Sequence, residues 1–304
     1  MKMLKLPLAA LSFFVSAVCH AASFNCTDAK QPIEIAICSH PELSQADEQL
    51  AAAYHTLLGK LTPDGATKLK GVQRRFDKLV RSICAQLKPD ELPGCVLGRF
   101  QTQTSLFRSL DIPGIAVTLD GSFTPWLNDD EASMSALWLE IDRPSALAAA
   151  MNSEIIALVS GLIPKEHEVR PYELTFVLNA LSSSLISITF HSDYLPSQAA
   201  PHGTYSRVAF NFLPGPLRMP ARDDFFKSDE AWQKVVTDAC AEALKDTGFD
   251  FVLPRDAANW RISSAGIEFD CTDDHPDNQD PISASLSWEV LKPLLKTGAP
   301  IPAR

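Results

Sequence analysis

The chain has 304 residues, of which 46 % are hydrophobic and 21 % charged, and it carries a formal net charge of −10. That length and apolar content allow a sizeable core and set a prior of two domains, and they exclude a disordered or fibrous chain. The acidic balance argues against nucleic acid as a partner and favours cationic proteins, attracted over a Debye length of about 8 Å.

At the start, Lys2 and Lys5 precede an apolar run over residues 6–18, and the small residues Ala21 and Ala22 follow. This is the pattern of a signal peptide over residues 1–22. A membrane-crossing helix needs about 20 apolar residues, so the run is too short for one and no span is expected in the mature chain. Cys19 also admits lipidation as an alternative. Removing the leader takes the 27 basic residues to 25 against 37 acidic ones, a net charge of −12. Six cysteines then remain: Cys26, Cys38, Cys84, Cys95, Cys240 and Cys271. An even number in an exported chain, with no Cys-x-x-Cys pair, points to disulfides rather than metal or redox chemistry, and to a periplasmic or secreted location.

The first mature segment is helical. Residues 32–37 form a short helix ending near Cys38, and Pro41 and Glu42 suit the first turn of the next. Leu43, Ala46, Leu50, Ala53, Tyr54, Leu57 and Leu58 follow at helical spacing. Thr62-Pro63-Asp64-Gly65 is a turn signal, and a further helix is expected over residues 66–84. A last helix carries Val96, Phe100, Leu106 and Phe107. Antiparallel packing of the two long helices would gather Cys26, Cys38, Cys84 and Cys95 at one end, where four cysteines admit three connectivities.

Asp111-Ile112-Pro113-Gly114 marks a boundary, beyond which strand-like residues 115–119 and 138–141 and an alanine-rich helix over 144–163 appear. Period-two alternation follows in Tyr172, Leu174, Phe176 and Leu178, in Ile186, Ile188, Phe190 and Tyr194, and in Val208, Phe210 and Phe212. Three neighbouring strands of an antiparallel sheet explain it. Asp229 is an N-cap candidate for a helix reaching Lys245. Residues 260–263 and 266–271 form a hairpin, 283–288 a strand and 290–295 a closing helix. Cys240 and Cys271 are the natural third disulfide. The expected fold is α+β: a disulfide-stapled helical bundle over residues 23–110, then an α+β domain with an antiparallel sheet over 115–297.

Phe24-x-Cys26, Glu34-x3-Cys38, Leu43 to Leu50 with Asp47, Tyr54, Gln73-Arg74-x-Phe76, Arg81-x2-Cys84 and Cys95 resemble, in order, the LprI family of lysozyme inhibitors. Glu34, Asp47, Gln73, Arg74 and Arg81 read as interhelical pairs or surface polar groups rather than catalysts. In the second half, the turn before Tyr205, Phe210-Asn211-Phe212, Asp224-Phe225-Phe226 and Gly266-Ile267-Glu268-Phe269 resemble an RsiV-type extracellular domain, and the 144–163 helix with Asn152 is similar to the module that commonly precedes it. RsiV-like proteins include a lysozyme receptor, so both resemblances imply lysozyme, or a related cationic cell-wall hydrolase, as partner.

Enzyme motifs are missing from the sequence. There is no His-Glu-x-x-His and no Gly-x-Ser-x-Gly, and Lys165-Glu166-His167-Glu168 offers a single histidine. Ser263-Ser264-Ala265-Gly266 suits a turn better than a nucleophile. Asp223-Asp224 lacks the histidine pair of a deacetylase metal motif, and the 273–280 acidic cluster lacks the spacing of a calcium loop. The expectation is a non-enzyme with no cofactor and no bound metal. Its partner-binding tip is the loop carrying Pro201 and His202 between Tyr194 and Tyr205. A non-inhibitory envelope module that touches peptidoglycan is the alternative.

Overall fold

The computed structural model describes residues 22–112, 115–125, 133–163, 169–196, 204–215, 218–272 and 282–302. After a 3₁₀ turn at Cys26–Asp28 come four helices: α1 (Pro32–Ser39), α2 (Pro41–Leu58), α3 (Pro63–Cys84) and α4 (Leu92–Ser109). Proline stands in the first turn of each, where its missing N–H costs nothing. Thr62 to Gly65, expected as a turn, instead begins α3. The Thr62 hydroxyl accepts from the Gly65 N–H at 3.2 Å, so the same residues that end one helix cap the next.

The disulfides join neighbours in sequence, Cys26 to Cys38 and Cys84 to Cys95, each with Cα atoms 5.7 Å apart. The first ties the 3₁₀ turn to α1, and the second closes the loop between α3 and α4. The expected close packing of α2 on α3 is replaced by α2 on α4, because α3 lies against a strand. That strand is β1 (Val117–Pro125), which pairs antiparallel with β2 (Ser133–Ile141). The α3 N-terminus is bolted down there: Asp142 accepts from the Thr62 N–H and the Thr62 hydroxyl, both at 2.6 Å. A Cβ at Gly65 would meet the Asp142 carboxylate within 2.7 Å, so glycine leaves this carboxylate room to cap α3.

From β2 the chain crosses through α5 (Ala146–Leu162) to β3 (Val169–Leu181), which runs parallel to β2. Two antiparallel strands, β4 (Ile186–Pro196) and β5 (Thr204–Phe212), complete a five-stranded sheet in chain order. The three alternating segments are thus neighbours as expected, and the one parallel pair comes from the βαβ crossover. One apolar core runs through α1 to α4, both sheet faces and α5.

A second core follows. It gathers α6 (Arg222–Phe225), α7 (Asp229–Ala243) and a three-stranded antiparallel sheet of β6 (Arg261–Ile262), β7 (Gly266–Asp270) and β8 (Ser283–Ser287). At its centre Trp232 and Trp260 stack at 5.5 Å, with Phe269 edge-on to Trp260 at 5.2 Å. The expected Cys240–Cys271 disulfide fastens α7 to the end of β7. Ser228, not Asp229, is the N-cap of α7. The closing helix breaks into α8 (Trp288–Leu291) and a 3₁₀ turn at Lys292–Leu294, where Pro293 has no N–H to continue it. Polar pins join the two cores: the Asn211 amide donates to the Ala257 carbonyl at 2.9 Å, and the Ile262 N–H donates to the Ser187 hydroxyl at 3.2 Å.

Candidate functional site

The polar residues of the helical module converge. α1, α2 and α3 enclose a recess of about 370 Å³ lined by Glu34, Asp47, Tyr54, His55, Gln73, Asp77 and Arg81, with Phe24 and Phe100 among its apolar walls. It occupies the space where α2 and α3 were expected to touch.

Each group has a defined job. Glu34 sits at the third position of α1, and its carboxylate accepts the Lys30 and Gln31 N–H groups at 2.9 and 3.0 Å. Those two hydrogen bonds, helped by the charge of Arg81, hold its carboxyl below the usual carboxylate range. Asp47 accepts the Ser23 N–H at 2.6 Å. Asp77 accepts from the Gln73 amide at 2.9 Å, yet loss of water in the recess pushes its carboxyl upward. The Tyr54 hydroxyl is also pushed up, by burial first and by the Asp77 charge second. Gln73 keeps its carbonyl oxygen buried without a hydrogen-bond partner. Three carboxylates and a spare acceptor therefore face one guanidinium, an excess of acceptors that suits a cationic side chain.

Of the residues read from sequence as interhelical pairs or surface polar groups, Glu34 caps the start of its own helix. Asp47, Gln73 and Arg81 come together across the recess. Asp77 and His55 were not singled out, although Asp77 lies one helical turn after Gln73 and His55 directly follows Tyr54.

The other expected site lies at the far end of the sheet. Tyr194 and Tyr205 fall on adjacent strands, with Tyr194 opposite Thr204 and Asp193 opposite Tyr205. Pro201 and His202 lie outside the described residues, as do the acidic segments at 129–131 and 273–280 and the Lys165 to Glu168 stretch. Asp223 and Asp224 are engaged by Arg222 and Arg218 at 2.5 and 2.6 Å. The Ser263 hydroxyl accepts from the Ala265 N–H at 3.2 Å inside the β6–β7 turn. Among the described residues no three His, Cys, Asp or Glu side chains are placed to hold a metal ion, and no helix is long and apolar enough to cross a membrane.

No curated protein matched the chain. Among solved structures, a DUF3298 family protein from Pseudomonas aeruginosa PAO1 is 13 % identical with a TM-score of 0.46, covering 64 % of this chain and 100 % of its own. A member of the DUF3298 family from Bacteroides fragilis NCTC 9343 is 13 % identical with a TM-score of 0.43, covering 61 % and 95 %. Residues 25–108, which carry the stapled helices, match the family model described as lysozyme inhibitor LprI.

Proposed function

We propose that this chain is an exported, non-enzymatic binding protein of the cell envelope that recognises and inhibits lysozyme or a related cationic cell-wall hydrolase. The observation that carries the reading is the coincidence of the lysozyme-inhibitor match over residues 25–108 with an acid-rich recess built from the same helices. With the leader removed, an excess of 12 acidic residues over basic ones steers a cationic partner toward the protein. Capture is followed by docking of a segment of the chain into the hydrolase substrate groove. The candidate is the segment between β4 and β5, with Tyr194, Pro201, His202 and Tyr205 as its contact residues. The β4–β5 ladder pairs as far as Tyr194 and Thr204, so the segment is carried on a fixed base. A preordered base lowers the ordering cost of binding.

Titrating a cationic lysozyme with the purified chain lacking residues 1–22 tests the reading. Inhibition that saturates near one to one, with an association rate that falls as salt rises, is expected. Retention on insoluble peptidoglycan without inhibition would replace this reading with that of a non-inhibitory envelope module.

A further inference from the structure

A second, larger cleft of about 930 Å³ lies between the helical module and the sheet, away from the acid-rich recess. Its origin is a split in the sheet. β2 and β3 pair only from Met134↔Tyr172 to Ala136↔Leu174, whereas β3 stays paired with β4 as far as Leu181. Beyond Leu174 the two parallel strands diverge. The cleft is lined by Thr175, Phe176, Val177 and Leu178 in succession. Side chains alternate across a strand, so four consecutive lining residues mean that the strand presents its edge. The register with β2 ends at Leu174, so these four are laddered on the β4 side alone.

The opposite wall is α4, and its composition is unusual for a helix. Gly94 and Gly98 lie on the cleft, one turn apart. Glycine inside a helix usually marks a close approach by another element, but a Cβ at either position would meet nothing within 4 Å. The room they leave is unfilled. Gln103, also on α4 and on the cleft, is only 7 % exposed, and its side-chain N–H₂ group is buried without a hydrogen-bond partner. A buried donor in that condition asks for an acceptor. The charged lining groups are Arg75, Arg99 and Glu173, with Arg99 and Glu173 3.6 Å apart. Arg75 has Asp120 as its nearest carboxylate at 3.7 Å, yet one of its guanidinium nitrogens is buried without a hydrogen-bond partner.

We propose that this cleft binds an extended segment of a partner protein, bearing an acidic residue, which adds as a strand to the free edge of β3 and lies along the glycine face of α4. The open edge supplies alternating main-chain donors and acceptors, which only another extended backbone satisfies in register. Four edge residues span about 13 Å, room for a four- to six-residue segment. Gln103 donates to a carbonyl of that segment, and the unsatisfied Arg75 nitrogen donates to its carboxylate. The site is independent of the proposed hydrolase recognition and calls for a partner of opposite charge preference.

The test uses the full chain without residues 1–22, immobilised and panned against phage-displayed random heptapeptides. Enriched peptides are then resynthesised for fluorescence polarisation. Expected are alternating apolar sequences with an Asp or Glu, binding saturably. Affinity should fall at least tenfold when alternate peptide nitrogens are methylated, and at least tenfold with Gly98→Trp, which fills the cleft without a backbone clash. Arg99→Glu should shift the preference from acidic to basic peptides, keeping the test informative if Gly98→Trp lowers stability. Three results would each overturn the proposal: no enrichment above a Gly98→Trp control, equal binding of methylated and unmethylated peptides, or displacement of every peptide by dodecanoate at equal concentration, which would identify an acyl-chain site.

Discussion

Asn152 on α5 grips Ile141 on β2 at both of its main-chain polar groups. Its side-chain oxygen accepts the Ile141 N–H at 2.8 Å, and its amide donates to the Ile141 carbonyl at 3.1 Å. One amide side chain therefore stands in for a strand partner on the edge of β2 that β3 has left. Asn152→Leu preserves size but removes both bonds, leaving two main-chain groups short of partners. A loss of about 2 kcal/mol is expected, measured by urea unfolding as a lower midpoint at unchanged slope.

A tightly packed charge cluster predicts a larger effect. Arg261, 7 % exposed, donates to both Asp270 oxygens at 2.8 and 2.7 Å and to Glu268 at 2.7 Å. Arg261→Met leaves both carboxylates to Arg207 alone, 3.1 Å from Asp270 and 3.8 Å from Glu268. The loss should be about 3 kcal/mol, toward the lower end for a broken buried pair because the Glu268 side chain keeps 37 % of its exposure. Burial opposes ionisation of Glu268, but the Arg261 hydrogen bond and charge, with Arg207, outweigh it and hold the carboxyl below its usual range. The sign follows: this contribution is fully present above the ordinary glutamate value and is lost as pH falls through the depressed one. Glu268→Gln should lower stability at neutral pH and converge with the parent in acid.

Asp77 predicts the opposite slope. Its carboxyl is raised in the folded state by desolvation in the recess, so the folded protein holds a proton more tightly there than the unfolded chain does. That stabilisation is present below the ordinary aspartate value and disappears as pH climbs through the raised one. Subtracting the Asp77→Asn unfolding curve from that of the parent across acidic pH should isolate a term that falls with rising pH. A flat difference would place the Asp77 carboxyl in ordinary water.

The Cys240–Cys271 bridge closes a separation of 31 residues around the tryptophan core. Chain-entropy arithmetic for a loop of that size gives about 4 kcal/mol. Replacing both cysteines with alanine should therefore lower the midpoint of the second core strongly. Because Asn211 and Ser187 pin that core to the first, near-ultraviolet circular dichroism and tryptophan fluorescence should report whether the two melt together.

Much of this architecture was legible in the chain. Alternation over Tyr172 to Leu178 and Ile186 to Tyr194 gave paired strands because one sheet face is buried on a core, and helical spacing from Leu43 to Leu58 gave α2 for the same reason. What periodicity does not encode is which element a face meets. The apolar side of α3 was free to choose α2 or a strand, and Asp142, eighty residues away from Thr62, decided it. The disulfide pattern was open for a similar reason, since any of three pairings satisfies the spacing. The recess was half visible: Glu34 and Asp47 were named individually and Asp77 was not, and their convergence depends on α2 and α3 being held apart. The split between β2 and β3 had no local signature, because it arises from where a parallel pairing stops.

Binding of a cationic lysozyme tests the central claim most directly. Isothermal titration of the chain lacking residues 1–22, beside variants carrying Asp47→Asn with Asp77→Asn, or His202→Ala with Tyr205→Ala, measures affinity and stoichiometry together. The account predicts one-to-one binding of the parent that weakens with salt, a several-fold loss from the recess variant and a loss of at least tenfold from the loop variant, with lysozyme activity restored in parallel. Absence of heat and of inhibition at micromolar concentrations in low salt, from a parent shown to be folded, would contradict it.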